Sequence, residues 1–362
     1  MLDFLFKKSE EARALGIDIG SSAIKVVELK KKNGQAVLET YGELSLGPYA
    51  GLTVGQAVQL PADKIALALS DLLKEKEVAV KTKRSGVAIP FSSSLISVVE
   101  MPNVSQKELQ TMVPIEARKY IPVPIQEVTL DWSVIPRPDS KSETPEGSVP
   151  KIDVLIAAIH NDTIARFQEI VAKAALESSF FEIEIFSTMR AVLDESLEPV
   201  LIMDMGAAST KLYIIERGLV RTSHTVNRGS QDITSTLSQS LGISPEEAEV
   251  MKRNRGLLGE DARVKDIAAL VLDHIFAEAD ATLLSFEKKH NKTVSKIILV
   301  GGGAALKGLI DLAKNNFKTE VTLGEPFDKV SAPAFLEKIL SETGPEFAVS
   351  IGLALRKLSE EK

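Results

Sequence analysis

The 362-residue sequence contains no cysteine, only four histidines and a single tryptophan. Without cysteine, disulfide bonds and thiolate metal sites are excluded, and the scattered histidines offer no ligand spacing such as His-Glu-x-x-His. No apolar run approaches the roughly 18 residues that a membrane-spanning helix requires, so no transmembrane segment is expected. A net charge of −7 gives no indication of general nucleic-acid binding.

The remaining composition is that of a folded chain, with 44% apolar and 26% charged residues. A chain of this length predicts two or three domains with a sizeable core. The opening MLDFLFKKSEEARALG places its apolar residues before Lys7 and Lys8, the reverse of a signal peptide. We therefore expect a cytoplasmic protein, whose apolar start is either a tucked or frayed terminus or a contact with a membrane or partner.

The first ninety residues follow the strand order of a ribonuclease-H-like unit. Asn33 and Gly34 form a strong two-residue hairpin signal between alternating apolar segments. The predicted order is three strands in a meander, a helix and a fourth strand: 15–20, 23–30, 36–44, a helix from Pro61, and 86–90.

Residues 87–178 differ in character and predict a small α+β insertion, with a polar, Pro-rich mobile tip over 136–150. Ser105 and Glu108 are spaced as a helical capping box. Pro114 lies within that helical pattern, so we expect a kink or a later start there.

Two turns in the chain match each other. The octapeptides DIGSSAIK (18–25) and DMGAASTK (204–211) carry Asp, Gly and Lys at identical offsets, each between two apolar strands. One such turn arises easily by chance, whereas two in matched strand context indicate a duplicated hairpin.

Small residues at these turns allow backbone N–H groups to approach phosphate oxygens. Asp18 and Asp204 would hold a hydrated Mg²⁺ between them, since Mg²⁺ keeps its waters and uses few carboxylates. The alternative is that each aspartate only caps its own turn. The candidate phosphate ligands are Gly20, Ser21, Ser22, Lys25, Gly206, Ala207, Ala208 and Ser209.

A third glycine turn follows the strand SKIILV. Gly301, Gly302 and Gly303 precede a helical pattern, and such a turn exposes a helix N-terminus to an anion or a flat ring. Tight backbone packing is the alternative reading of these glycines.

These three elements resemble the actin-like ATPase superfamily, which includes actin, sugar kinases, heat-shock chaperones and FtsA. DIGSSAIK and DMGAASTK resemble its phosphate loops, and VGGGAAL resembles its adenosine motif. The resemblance implies an α/β fold: a duplicated ribonuclease-H-like, two-lobe structure with an inserted α+β subdomain. The expected domains are a first lobe (1–86, about 179–200 and helix 345–358), the insertion (87–178) and a second lobe (201–344).

The chain also resembles the PilM family, actin-like proteins of type IV pilus assembly. The segments that carry this resemblance are FLFKK, ALGIDIGSSAIKVVEL, EARKYIPVPIQEVTLDW, LVGGGAALKGL and GPEFAVSIGLALR, spread over nearly the whole chain. The resemblance implies ATP and Mg²⁺ in a cleft between two lobes, and a scaffold located at the inner face of the cytoplasmic membrane through its partner.

The implied partner is a PilN-like inner-membrane protein. Its N-terminal cytoplasmic tail would lie in a groove between the insertion and the first lobe, at strand 87–101 and helix 105–121. The scaffold would thereby connect the membrane complex to the pilus motor ATPase complex. Whether the chain forms a homo-oligomer stays open.

The resemblance also suggests which residues contact the ribose and adenine of ATP, and whether ATP is hydrolysed. Glu249 and Lys252, in EEAEVMKR, match the place that contacts ribose and adenine, although a surface i,i+3 ion pair explains them equally well. Hydrolysing relatives orient water with a Gln or Glu about 17 residues before the second aspartate, and here that count reaches Ser187. Glu182 and Glu184 are nearby on a strand pattern, so no catalytic residue is assigned and at most slow hydrolysis is expected.

Two other functions fit the same fold. A small-molecule kinase would need a base carboxylate beside a substrate pocket in the first lobe, and no such aspartate stands out. An FtsA-like filament-forming division protein would carry a C-terminal amphipathic membrane helix, whereas this sequence closes on LRKLSEEK. A role in a related secretion system shares the expected architecture and stays open.

Overall fold

The computed structural model describes residues 12–135, 150–194, 197–259 and 262–360. The chain divides into two compact units, unit 1 (Met1–Ala88 and Ile170–Lys362) and unit 2 (Ile89–Glu169). The apolar N-terminal segment and the tip predicted over 136–150, apart from Pro150, lie outside the described residues.

The secondary structure alternates between strands and helices. The strands are β1 (Arg13–Ile19), β2 (Ala23–Lys32), β3 (Gln35–Ser45), β4 (Arg84–Ile89), β5 (Ser94–Pro102), β6 (Val128–Ile135), β7 (Lys151–His160), β8 (Glu177–Ile183), β9 (Val200–Met205), β10 (Thr210–Glu216), β11 (Leu219–Val226), β12 (Lys296–Val300) and β13 (Glu320–Leu323). The helices are α1 (Ala62–Lys74), α2 (Gln106–Ala117), α3 (Asn161–Lys173), α4 (Glu184–Val192), α5 (Ser230–Leu241), α6 (Pro245–Arg255), α7 (Ala262–His290), α8 (Leu309–Asn316), α9 (Glu337–Thr343) and α10 (Ala348–Glu360).

Unit 1 contains two five-stranded sheets of the same design. The first has the order β3-β2-β1-β4-β8 and the second β11-β10-β9-β12-β13. In each, three antiparallel strands are followed by a parallel partner, β4 beside β1 and β12 beside β9. We call the parts of unit 1 built on these sheets the first lobe and the second lobe. The duplication predicted from the paired octapeptides is confirmed by this topology.

The hairpin turns follow the local signals. Asn33 and Gly34 both have positive φ, 52° and 80°, as a two-residue turn between right-twisted strands requires. Arg217 and Gly218 make the corresponding turn between β10 and β11, with φ of 52° and 72°. The hairpin predicted at Asn33 is confirmed.

The core of the first lobe forms where α10 returns to the sheet. Val27 and Leu29 on β2 are fully buried in one cluster with Ile351 and Ala354 of α10. Gly16 on β1 allows direct backbone contact, because a Cβ there would stand 1.8 Å from the Ser350 carbonyl oxygen. Each fully buried aliphatic side chain of this kind contributes about 1.5–3 kcal/mol.

The core of the second lobe lies between its sheet and the helices α5 to α7. Leu201 on β9 and Leu299 on β12 pack in one buried cluster with Ile275 and Phe276 of α7. Helix α7 has 29 residues, and it places buried apolar side chains on one side and charged residues on the other. Within the described ranges, no helix is both long and apolar enough to cross a membrane.

Unit 2 is a three-stranded antiparallel sheet, β5-β7-β6, with α2 packed on it. Ser105 caps α2 and Glu108 completes the capping box, as predicted. Because the helix begins at Gln106, the later start considered for Pro114 is wrong; Pro114 lies inside α2. The helix ends at Ala117, so the helical pattern predicted as far as residue 121 extends too far.

Candidate functional site

The two matched octapeptides adopt the same turn. Gly20 donates its N–H to the Ala23 carbonyl at 3.0 Å, and Gly206 donates to the Ser209 carbonyl at 3.0 Å. The register also repeats, because Asp18 lies opposite Lys25 as Asp204 lies opposite Lys211. We call these the first phosphate turn (residues 20–23) and the second phosphate turn (residues 206–209), after the phosphate binding that the sequence predicts.

Each turn is supported by backbone hydrogen bonds from its own lobe. In the first, the carbonyls of Ser21 and Ser22 accept from the N–H groups of Val58 at 2.9 Å and Leu46 at 2.8 Å. These bonds hold the turn from the protein side. Gly20 and Ser21 are exposed and Ser22 is half-buried.

In the second turn, the carbonyls of Gly206 and Ala207 accept from Ser230 at 3.0 Å and Gln231 at 3.1 Å, the first two residues of α5. The backbones are so close that a Cβ on Gly229 would stand 2.3 Å from the Ala207 carbonyl oxygen. Within this turn Ala207 is buried, while Gly206, Ala208 and Ser209 are half-buried.

Carboxylates from both lobes concentrate near these turns. Burial raises the pKa of Asp18 to about 7; Lys25 opposes the rise, and Glu184 and Asp204 add to it. Burial also raises the pKa of Asp204, against Lys211 and with Glu184. Since Asp18 and Asp204 come from different lobes, the structure brings together a pair that lies 186 residues apart in the sequence.

Lys211 partly balances this negative charge. Its Nζ lies 2.6 Å from Glu184 Oε1 and 3.6 Å from Asp204 Oδ2. Burial lowers the pKa of Lys211, but these carboxylates outweigh burial and raise it well above its ordinary value. Lys211 therefore stays charged and ties the second aspartate to α4.

Lys25 lies among a second set of carboxylates. Its Nζ is 3.7 Å from Glu43 and 3.8 Å from Glu346. Burial lowers the pKa of Lys25, yet Glu43 and Glu346 raise it overall. Burial raises the pKa of Glu346 to about 7, with Lys25 opposing and Glu43 adding to the rise. No signal in the sequence pointed to Glu346.

The triple glycine lies beside β9 and β2, the strands that flank the second and the first phosphate turn. Gly301 has φ of +84°, and a Cβ there would stand 2.5 Å from Asp204 Oδ1. A Cβ on Gly302 would lie 3.8 Å from Lys25 Nζ, and one on Gly303 would stand 2.8 Å from the Met205 carbonyl oxygen. Only glycine allows this close approach at Gly301 and Gly303.

The helix predicted directly after these glycines begins later. Gly302–Ala305 form a 3-10 turn, and α8 starts at Leu309 after Gly308, whose φ of +84° is left-handed. The expectation that the glycines open an α-helix N-terminus is therefore wrong, since the left-handed Gly308 separates the glycine turn from α8.

Glu249 and Lys252 form the i,i+3 ion pair that the sequence allowed, with 2.7 Å between Nζ and Oε2. The pair is not a surface pair, because Glu249 is 4% exposed and Lys252 is 7% exposed. Glu249 also accepts from Thr234 at 2.6 Å and Arg253 at 2.7 Å. Lys252 donates to the Ser230 carbonyl at 3.1 Å, which links α6 to the start of α5 beside the second phosphate turn.

Glu184, and not the counted Ser187, is the carboxylate beside Lys211 that influences the pKa of both aspartates. The counted residue, Ser187, is fully buried and its hydroxyl donates to Glu182, so it does not face the carboxylate pair. The strand β8 ends at Ile183 and α4 begins at Glu184, which turns that carboxylate toward Lys211. The apolar alternation of EIEIF conceals this change from strand to helix.

Comparison with known proteins identifies the family of this chain. The family profile described as "Type IV pilus assembly protein PilM" matches residues 16–358. The chain belongs to the PilM family. A solved PilM–PilN type IV pilus biogenesis complex is similar to this PilM-family chain with a TM-score of 0.79 and 26% identity, covering 96% of this chain and 99% of that one.

Two more distant relatives also match most of this chain, and the solved one shows the same actin-like ATPase fold. The cell division protein FtsA of Streptococcus pneumoniae is 22% identical, over 90% of this chain and 79% of its own. MreB5 of Spiroplasma citri, solved with bound AMPPNP, has a TM-score of 0.52 and 11% identity, covering 97% of this chain and 98% of that one. The fold class expected from the sequence is confirmed.

Proposed function

We propose that this PilM-family chain is a cytoplasmic ATP-binding scaffold of the type IV pilus machinery. It docks the N-terminal cytoplasmic tail of a PilN-like inner-membrane protein and couples that protein to the pilus motor. The observation that carries the nucleotide part is the paired phosphate turns, which place Asp18 and Asp204 together with Glu184. The family match and the similarity to the PilM–PilN complex support the partner.

In this proposal, the two phosphate turns bind the ATP phosphates from opposite lobes, and Lys25 provides a positive charge beside the first turn. The adenosine part of ATP is bound by the glycine turn 301–303 and by the pair Glu249 and Lys252. The lobes correspond to 1–86, about 179–200 and 345–358 for the first, and 201–344 for the second.

The carboxylate cluster suits a magnesium ion. Asp204 and Glu184 both add to the raised pKa of Asp18, and a cation would relieve this repulsion. Among the residues that the structure describes, no three acidic or histidine side chains form a direct metal cage. Because Mg²⁺ keeps its waters and uses few carboxylates, Asp18 and Asp204 would hold it through its waters, and the ion would neutralise charge on the phosphates of the nucleotide.

Glu184 is the residue we propose to orient water. Its carboxylate lies 2.6 Å from Lys211 Nζ and influences the pKa of both aspartates. Positioning of the attacking water is the protein's main task in phosphoryl transfer. Because Lys211 already occupies one oxygen of Glu184, we expect slow hydrolysis.

Calorimetric titration with ATP, with and without Mg²⁺, tests the nucleotide site. The wild-type chain should bind ATP more tightly with Mg²⁺, and Asp18→Ala or Asp204→Ala should lose that Mg²⁺-dependent gain. Asp266→Ala, an exposed aspartate on α7, is the matched control and should bind like wild type. Undiminished Mg²⁺-dependent affinity in both site variants would refute the assignment.

Docking of the PilN-like tail is tested on unit 2. Ile115 on α2 is 59% exposed, and Tyr120 just after the helix is 44% exposed, so apolar surface is available within the predicted partner site. A peptide of the PilN-like N-terminus should slow hydrogen exchange over 87–121. Ile115→Asp should weaken peptide binding, whereas Leu270→Asp, at a leucine on α7 that is 67% exposed, should not. Equal binding by both variants would contradict docking on α2.

A further inference from the structure

The segment between β3 and α1 contacts the first phosphate turn at both of its ends. We call residues 46–58 the strap. Leu46 donates its N–H to the Ser22 carbonyl at 2.8 Å, and Val58 donates to the Ser21 carbonyl at 2.9 Å. Between these anchors the strap folds on itself, with Leu52 donating to the Gly47 carbonyl at 2.9 Å. Any movement of the strap ends is therefore transmitted to Ser21 and Ser22.

The far end of the strap contacts the second lobe. Ala57 donates its N–H to Gln231 Oε1 at 3.0 Å. Gln231 is the second residue of α5, and its own N–H donates to the Ala207 carbonyl of the second phosphate turn. One side chain thus joins the strap to the second turn, and the strap joins both turns to each other.

Gly55 provides the second contact between the strap and the second lobe. A Cβ at this position would stand 2.4 Å from Glu249 Oε1 and 2.6 Å from its carboxyl carbon. Thr234, Lys252 and Arg253 already hold this carboxylate from the other sides. The Glu249 carboxylate is therefore enclosed between three donors and the backbone of Gly55.

We infer that Gly55 and Gln231 are positioning residues for nucleotide binding: through the strap they set the distance between the two phosphate turns and the place of the Glu249 carboxylate. This inference rests on the proposed ATP site. A ligand whose phosphates contact both turns depends on their separation, and a misplacement near 1 Å is costly for a preorganised site.

Gly51, which also lies in the strap, provides a matched control for Gly55. Gly55 and Gly51 both have left-handed φ, +86° and +72°, so alanine strains the backbone at either position. They differ in their surroundings, because a Cβ on Gly51 meets nothing within 4 Å. The difference between Gly55→Ala and Gly51→Ala therefore isolates the contact with Glu249.

The experiment measures ATP affinity by calorimetry in the full chain, with thermal unfolding of each variant recorded alongside. We expect Gly55→Ala to weaken ATP binding roughly tenfold relative to Gly51→Ala. In a Glu249→Ala background, where the obstructed carboxylate is gone, Gly55→Ala should cause no further loss beyond that of Gly51→Ala. A general structural defect would instead lower affinity equally in both backgrounds.

Gln231 gives an independent pair that does not depend on the folding of Gly55→Ala. Gln231→Leu removes the acceptor for Ala57 and should weaken ATP binding, whereas Gln231→Glu keeps an acceptor oxygen and should restore it. If wild type binds ATP and Gly55→Ala matches Gly51→Ala, the inference fails while the proposed site stands. If wild type does not bind ATP, the proposed function fails and the inference fails with it.

Discussion

Replacing Asp18 with asparagine is expected to stabilise the nucleotide-free protein above neutral pH while removing a proposed magnesium ligand. Burial raises the pKa of this carboxyl from its ordinary 3.8 to about 7. The folded state therefore holds the proton more tightly than the unfolded chain. The Asp18 carboxyl makes its whole contribution to the free energy of unfolding below its ordinary pKa, and this contribution is lost as the pH rises through about 7. Asparagine does not titrate, so the stability of the Asp18→Asn variant does not fall in this way as the pH rises.

The magnitude follows from the two pKa values. A difference of about three pH units, at about 1.4 kcal/mol each, gives an upper limit of about 4 kcal/mol above pH 7. Because Asp18 is half-buried rather than fully buried, solvent screening reduces this, and we expect the advantage of Asp18→Asn to grow by about 2 kcal/mol between pH 5 and pH 8.

Urea unfolding at pH 5, 6, 7 and 8, in chelator and without nucleotide, measures this difference. Asp266→Asn on the exposed side of α7 controls for the removal of one carboxylate. A stability difference between Asp18→Asn and wild type that stays constant across this pH range would refute the reasoning. So would a variant less stable than wild type at pH 8.

Three further substitutions test the supports of the site. Gly352→Ala should cost about 3 kcal/mol in urea unfolding, because its Cβ would stand 1.9 Å from the Ser187 carbonyl oxygen where α10 crosses α4; unchanged stability would contradict that close crossing. Lys211→Met should lower the free energy of unfolding, measured in urea at pH 8, by about 3 kcal/mol, because it removes the ammonium group 2.6 Å from the largely buried Glu184. Unchanged stability would show that the ion pair is screened by solvent. Ser105→Ala should cost about 1 kcal/mol through loss of the α2 cap, seen as faster amide exchange confined to the first turn of that helix.

Much of the fold was predictable because its signals are local. Asn33 and Gly34 require positive φ wherever they form a two-residue turn, so the hairpin follows from two residues. The capping box at Ser105 satisfies orphan N–H groups within four residues and marks a helix start in the same way. These predictions did not need the rest of the chain.

Predictions failed where a local pattern fits two structures. The apolar alternation after Glu182 continues past Ile183, yet the chain changes there from strand to helix. A count along the sequence then falls on Ser187, while the carboxylate beside Lys211 is Glu184. The glycines 301–303 failed similarly as a helix start, because the left-handed Gly308 interrupts the chain before α8.

The sequence by itself determined the duplicated hairpin, since the spacing of Asp, Gly and Lys in two octapeptides is a property of the chain alone. Only the tertiary structure decided which other groups join them. Glu184 begins α4 and Glu346 lies just before α10, far apart in sequence. Burial near like charges, which no spacing reveals, raises the pKa of Asp18 and of Glu346. Short-range backbone geometry follows from the residues of one segment, whereas the electrostatics of a buried group depends on which distant segments pack around it.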